Sequence, residues 1–195
     1  MKNYYIDYKF TIDDFKKMEK IEHTYFPNEN ITKAEDVLEW YKKNDLTCIG
    51  VRNKEGKIIC SVNILPLEEK TFMDIYNNKI NEADLKASQI EKYEDNKSYN
   101  IYLSSISIDS DYLNNYGLVI ELLNGCIKLL DILESRNIKI NRIMADASTT
   151  HGEKICKILL KMNYIINTSH GSKIYCSDGE GFCQTISKLK RKLKG

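Results

Sequence analysis

The part of this chain whose residue types and spacing could do chemistry is the run Asp109-Ser110-Asp111-Tyr112-Leu113-Asn114-Asn115-Tyr116-Gly117, a polar loop that leads straight into an apolar stretch from Leu118 to Arg136. A loop entering a helix converges backbone N–H groups on one point and adds the positive end of the helix dipole, which suits an anionic group such as a phosphate. Gly117 would let the backbone come close to such a group or adopt φ > 0. Val119 can still donate through its N–H, although its side chain would crowd a phosphate if it pointed inward. Asn114 and Asn115 are common turn residues, so the run also reads as an ordinary helix start. The cysteines (Cys48, Cys60, Cys126, Cys156, Cys176 and Cys183) never stand as Cys-x-x-Cys and mostly lie in apolar segments, which reads as reduced core thiols. With the histidines scattered, no zinc-type ligand cluster is expected.

The elements that must position this loop are legible from patterning. Tyr4 to Phe10 alternates and reads as a strand, and Thr11 opens a helix with Asp14 three residues on, close to a capping box. Phe15, Met18, Ile21 and Glu22 follow at helical spacing, and Tyr25-Phe26-Pro27-Asn28 breaks the helix. Thr32 is expected to cap a second helix whose stripe is Val37, Leu38, Trp40 and Tyr41. Leu46 to Arg52, the turn Asn53-Lys54-Glu55-Gly56 and Lys57 to Leu65 form a hairpin that Pro66 should end. Residues 67–97 are charged and expected to be helical in two pieces. Tyr99 to Ile108 is a long β-branched and aromatic strand. In the helix that follows, Ile120, Leu123, Ile127, Leu130 and Leu133 are expected to mark the buried face. Ile143 to Ala147 is a strand, Ser148-Thr149-Thr150 a cap cluster, and Glu153 to Met162 a helix. Tyr164 to Asn167 and Lys173 to Cys176 close the order as strands about the turn Ser169-His170-Gly171.

Composition bounds what this order can be. A chain of 195 residues with 42% hydrophobic and 29% charged content can bury a full core and fits one domain, not a disordered segment. A formal net charge of +1 argues against a bulk nucleic-acid binder. No apolar run approaches the ~20 residues of a membrane span. Met1-Lys2-Asn3-Tyr4-Tyr5 lacks the apolar stretch of a signal peptide, so a cytoplasmic location is expected. Gly181 to Gly195 carries Ile186, Leu189 and Leu193 among lysines and Arg191. That tail reads as an amphipathic basic helix, either solvated or touching a membrane or acidic partner.

The order of elements resembles the GNAT acetyltransferase family from about Tyr4 to about Cys176. Members have a strand, a loop of the form Gln/Arg-x-x-Gly-x-Gly/Ala, and a helix with paired leucines; here Asn114-Asn115-Tyr116-Gly117-Leu118-Val119 and Leu122-Leu123 occupy those places. Lys161-Met162-Asn163-Tyr164 echoes the family's Leu-Gly-Phe entry to a later strand. The Gln/Arg position is Asn114, the last Gly/Ala is Val119, and the family's frequent general-acid tyrosine aligns at Leu159.

The resemblance implies an α/β fold with a mixed, mostly antiparallel central sheet and flanking helices. It implies a GNAT-like domain over 1–178, with a charged insert at about 67–97, and a basic tail over 179–195. It implies acetyl-CoA as acyl donor, with Asn114, Asn115, Tyr116, Gly117, Leu118 and Val119 at the pyrophosphate. The backbone of Ile106, Ser107 and Ile108 would lie along the pantetheine, on a strand that splays from its neighbour at a bulge and can lend an oxyanion N–H. Ser104, Ser105 and Ser107 there also read as a half-exposed strand face. Transfer to an amine needs a proton acceptor. Asp146 is the first candidate and His151 the second, with Asp109 behind them; each also reads as a solvated or capping residue. The acceptor is an amine of a small molecule or protein. A catalytically weak or inactive CoA-binding or protein-interaction module is the alternative. The insert shapes either the acceptor entrance or a homodimer contact.

Overall fold

The structure, a computed structural model, describes residues 4–25, 31–113, 115–169 and 171–194, the side chains of Ser105, Tyr116, Leu193 and Lys194 excepted. The elements run β1 (Tyr4–Asp7), α1 (Ile12–Tyr25), α2 (Ala34–Lys43), β2 (Cys48–Asn53), β3 (Ile58–Leu67), α3 (Glu69–Tyr76), β4 (Ser98–Ile108), α4 (Tyr116–Ser135), β5 (Lys139–Ala147), α5 (Thr150–Lys154), β6 (Asn163–Asn167), β7 (Lys173–Asp178) and α6 (Gly179–Lys194). The strands form one 7-stranded sheet in the order β1-β2-β3-β4-β5-β7-β6. Its pairs are antiparallel except β4 with β5, which run parallel through the α4 crossover.

Both faces are covered. On one, Leu118, Leu122, Leu129 and Leu133 of α4 and Phe182 and Ile186 of α6 pack on Ile49, Val62, Ile101, Leu103 and Ile143. On the other, Trp40 of α2 and Phe72 and Ile75 of α3 pack on Leu65, Tyr102, Met144 and Ile174, while Phe15 and Met18 of α1 fill the corner beside Phe10.

Local chemistry explains where the elements start and stop. At α1 the capping box is complete: Thr11 N–H donates to Asp14 Oδ2 at 2.9 Å and Asp14 N–H to Thr11 Oγ1 at 3.3 Å. The helix break at Phe26 to Asn28 lies outside the described residues. Thr32 does not cap α2; Lys33 stands at the cap, and Glu19 Oε2 of α1 accepts the Ala34 N–H at 3.2 Å in its place. Pro66 does not end β3, which continues to Leu67 with Pro66 opposite Ile101. β2 reaches only Asn63, so Pro66 sits where one side of β3 has no strand to receive an N–H.

Three other expectations change. The insert is one helix, α3, followed by 3-10 turns at Glu82–Asp84 and Ala87–Gln89. Ile127 and Leu133 are buried as expected, but Ile120 is 42% exposed, and Leu118, Leu122, Gly125 and Leu129 complete the seam of α4. That helix is apolar nearly all round, and Gly125 selects the face: a Cβ there would stand 2.6 Å from Ile49 Cγ2. The helix expected over 153–162 is shorter, since α5 passes into a π turn over Ile155–Leu159. The basic C-terminal segment is α6, which seats Phe182 and Ile186 in the main core. Its entry is tight, because a Cβ on Gly179 would lie 1.7 Å from the Ile140 carbonyl oxygen.

Candidate active site

The sheet opens at one place. β4 pairs with β5 from Ser98 opposite Lys139 to Leu103 opposite Ala145, and no further. Beyond that point β4 stays with β3 as far as Ile108 opposite Cys60, while β5 stays with β7 as far as Ala147 opposite Lys173. A bulge drives them apart: Ser104 and Ser105 of β4 together face one residue, Asn63, of β3. The β5 side of β4 from Ser104 to Ile108 therefore lacks a strand partner. A chain carrying amide groups can pair with it as an added strand would. Ile106 is 38% exposed beside this gap.

The N-terminus of α4 lies one short loop beyond. Asn115 caps it, its Oδ1 accepting the Leu118 N–H at 3.2 Å while its Nδ2 donates to Tyr4 Oη at 2.6 Å. Ahead of the first helical bonds, N–H groups remain for an anion. Gly117 does not use φ > 0; its missing Cβ leaves clear a position 3.2 Å from Asn115 Oδ1. Val119 is half-buried, and Asn114 and the Tyr116 side chain lie outside the description.

The face of the gap away from α4 is acidic. Glu82, carried in by the insert, accepts from Ser104 Oγ at 2.5 Å and from Tyr102 Oη at 3.2 Å. Glu22, on the buried side of α1, accepts from Ser107 Oγ at 2.6 Å. Asp146 sits on β5 between Ala145 and Ala147, on the same face as Met144 and Tyr102. Burial, then the charge of Glu22 and further that of Asp146, pushes the Glu82 carboxyl up to about 7, against the opposing hydrogen bonds from Ser104 and Tyr102. A carboxyl poised there can take and return a proton near neutral pH.

No family model matches the sequence, and no curated protein matches it. Solved structures do match. The N-acyl amino acid synthase FeeM from uncultured soil microbes superposes with a TM-score of 0.59 at 8% identity, covering 95% of this chain and 96% of that one. Ard1 from Thermoplasma volcanium gives 0.55 at 10% identity, over 90% and 95% of the two chains. Arabidopsis thaliana Naa50, in complex with the bisubstrate analogue CoA-Ac-MVNAL, gives 0.53 at 10% identity, over 91% and 99%. The chain has the GNAT acetyltransferase fold.

On this GNAT scaffold the residues singled out in sequence fall into groups. Ile106, Ser107 and Ile108 line the unpaired half of β4, and Asn115, Gly117, Leu118 and Val119 form the cap and first turn of α4, which follows that strand after one short loop. Asp146 stands with Glu82, whose titration it affects. His151 is exposed on α5, past the end of β5. Asp109 forms an ion pair with Lys17 at 3.2 Å. Leu159 sits in the π turn and packs against the main core.

Glu82 and Glu22 are the functional candidates that sequence reasoning passed over. Glu82 is one acid among many in a charged insert, with no local signal to lift it out. Glu22 did carry a signal: an acidic residue in register with Phe15, Met18 and Ile21 is a buried charge, and a buried charge calls for a reason.

Proposed function

We propose that this protein transfers an acyl group, acetyl in the simplest case, from acetyl-CoA to an amine in the cytoplasm. The observation that carries the reading is the gap between β4 and β5 with Glu82 beside it, a carboxyl pushed up to about 7. The acyl-CoA arm would pair with the backbone of Ile106 to Ile108, and its pyrophosphate would meet the N–H groups from Asn115 to Val119. These parts suit the donor because they rest on backbone and on an open Gly117, not on the side chains at which the family pattern is departed from.

An alkyl ammonium has a pKa near ~10.4 and must shed a proton before it attacks. Glu82 as carboxylate takes that proton. The freed nitrogen lone pair forms the C–N bond at the thioester carbon, and an N–H of the unpaired β4 edge steadies the oxygen that gains charge. The C–S bond then breaks, its electrons leave on sulfur, and the nitrogen gives up its second proton to water, leaving a neutral amide. A thiol has a pKa near ~8.5, so the thiolate departs without the acid that Leu159 cannot supply. Asp146 holds up the basicity of Glu82, and His151, in solvent beyond β5, is the candidate for passing the proton on to water.

The test is calorimetry with acetyl-CoA followed by thiol release over an amine panel. Saturable binding and amine-dependent thiol release are expected, and no binding at millimolar acyl-CoA would exclude the reading. Leu159 favours one competing assignment, a CoA-binding module with little turnover. It predicts binding without thiol release for every amine tried.

A further inference from the structure

A small cavity lies where α1 and the start of α2 meet β3, on the acidic face of the sheet. Its polar lining is Glu19, Glu22, Thr32 and Asn63, and its apolar lining includes Phe15 and Met18. The space open to the centre of a water-sized group is about 10 Å³. That admits a single water or a single ammonium group. Thr32 is 6% exposed and Asn63 4%, and neither Thr32 Oγ1 nor Asn63 Oδ1 has a hydrogen-bond partner among the described residues. Two buried oxygens left in this way are costly unless a donor reaches them.

The chemistry of that donor follows from the set. An amide oxygen and two carboxylates only accept, and a hydroxyl can accept as well. None of the lining residues is cationic. A group with several N–H donors and a positive charge satisfies all of them, and an alkyl ammonium is such a group at the size of a water.

The cavity is tied to the reacting carboxyl through β4. Ser107 donates to Glu22 of the cavity and Ser104 donates to Glu82, so the two sites hang from one strand three positions apart. At ~3.3 Å per residue, shortened by the bulge, they stand within about 10 Å along the strand, the reach of a short alkyl chain. We propose, resting on the acyl-transfer reading, that the acceptor is a short diamine, its distal ammonium seated among Glu22, Thr32 and Asn63 and its other nitrogen at Glu82.

Calorimetry of the full chain with 1,5-diaminopentane against n-pentylamine tests this directly. The diamine should bind about tenfold or more tightly, as one further charge-assisted set of hydrogen bonds implies. Glu22→Gln should bring the two affinities together. Thr32→Val, close in shape, should narrow the gap and keeps the test decisive if Glu22→Gln does not fold. Equal affinities in the parent chain, meaning that only water occupies the cavity, would overturn the proposal, as would a preference that both variants retain. Thiol release from acetyl-CoA separates the two readings: a tenfold binding preference with no release for either amine sinks acyl transfer and supports the diamine site.

Discussion

Two acidic clusters stand on this sheet, and they are opposites. Near β1 and β2, Arg52 is 11% exposed and binds Asp7 at 2.6 Å and Asp14 at 2.7 Å, with the carbonyl oxygens of Gly56 and Lys9 taking its other donors. There burial acts to raise the Asp14 carboxyl, but hydrogen bonds from Arg52 and Thr11 and the Arg52 charge outweigh it and hold the group below its usual value. At the β4–β5 gap Glu82 has hydroxyls for partners, and burial, then its carboxylate neighbours, push it up. The first cluster carries its own cation between its two carboxylates and is part of the architecture. The second is ready for a positive group to arrive, which is what an amine acceptor brings.

The largest expected effect breaks the second cluster. Glu82→Gln keeps the shape and removes the base, so kcat should fall about 10²–10⁴-fold, the usual range for a lost general base. The rising limb of kcat/KM near pH 7 should vanish with it. A steady-state pH profile checks both. An unchanged limb would move the base elsewhere, with Asp146 the first place to look.

Breaking the first cluster should cost stability instead. Arg52→Met leaves Asp7 and Asp14 partly buried without their cation, and removal of one partner from such a set costs about 3–5 kcal/mol. Urea unfolding measures it. The position of the rate limb should not move, because Arg52 is not among the groups acting on Glu82.

The contrast between these clusters also marks what sequence could and could not show. The Thr11–Asp14 capping box, the hairpin at Asn53 to Gly56 and the loop-to-helix entry, expected at Leu118 and found two residues earlier behind the Asn115 cap, were all legible, because each is decided by residues within a few positions of one another. The unpaired end of β4 was foreseen from the family resemblance, and it needs backbone more than side chains. Glu82 was not foreseen. It meets Tyr102 and Ser104 only because Leu85 and Ile90 dock the insert on the sheet, a long-range packing event without a local pattern. The α4 seam was read in part, with Ile127 and Leu133 buried as expected and Ile120 exposed, since Gly125 selects its face through a contact with Ile49 of another element.

Stability should follow pH with opposite signs at the two clusters. Asp14, lowered from 3.8, stabilises the fold above that value and loses the contribution as pH falls through its folded pKa. Glu82, raised from 4.5 to about 7, binds more protons folded than unfolded between those values, so its contribution is full below 4.5 and declines as pH rises to about 7. Unfolding midpoints of the parent and Glu82→Gln between pH 4.5 and 7 should therefore differ in slope. The variant should lose the decline, and parallel slopes would show that Glu82 ionises without strain.

The smallest expected effect sharpens the comparison at a single hydrogen bond. Ser104 Oγ donates to Glu82 at 2.5 Å, and a donor favours the ionised carboxylate over the acid. This bond is the nearest thing Glu82 has to the guanidinium that Asp14 enjoys. Ser104→Ala removes it and should carry the rate limb about one unit above 7, which is ~1.4 kcal/mol, the scale of one charge-assisted bond. At pH 9 the variant should approach the parental rate, because Glu82 is then ionised in both; at pH 6.5 it should be several-fold slower. A rate lowered equally at every pH would instead mean that Ser104 shapes the bulge and leaves the proton affinity of Glu82 to burial and its acidic neighbours.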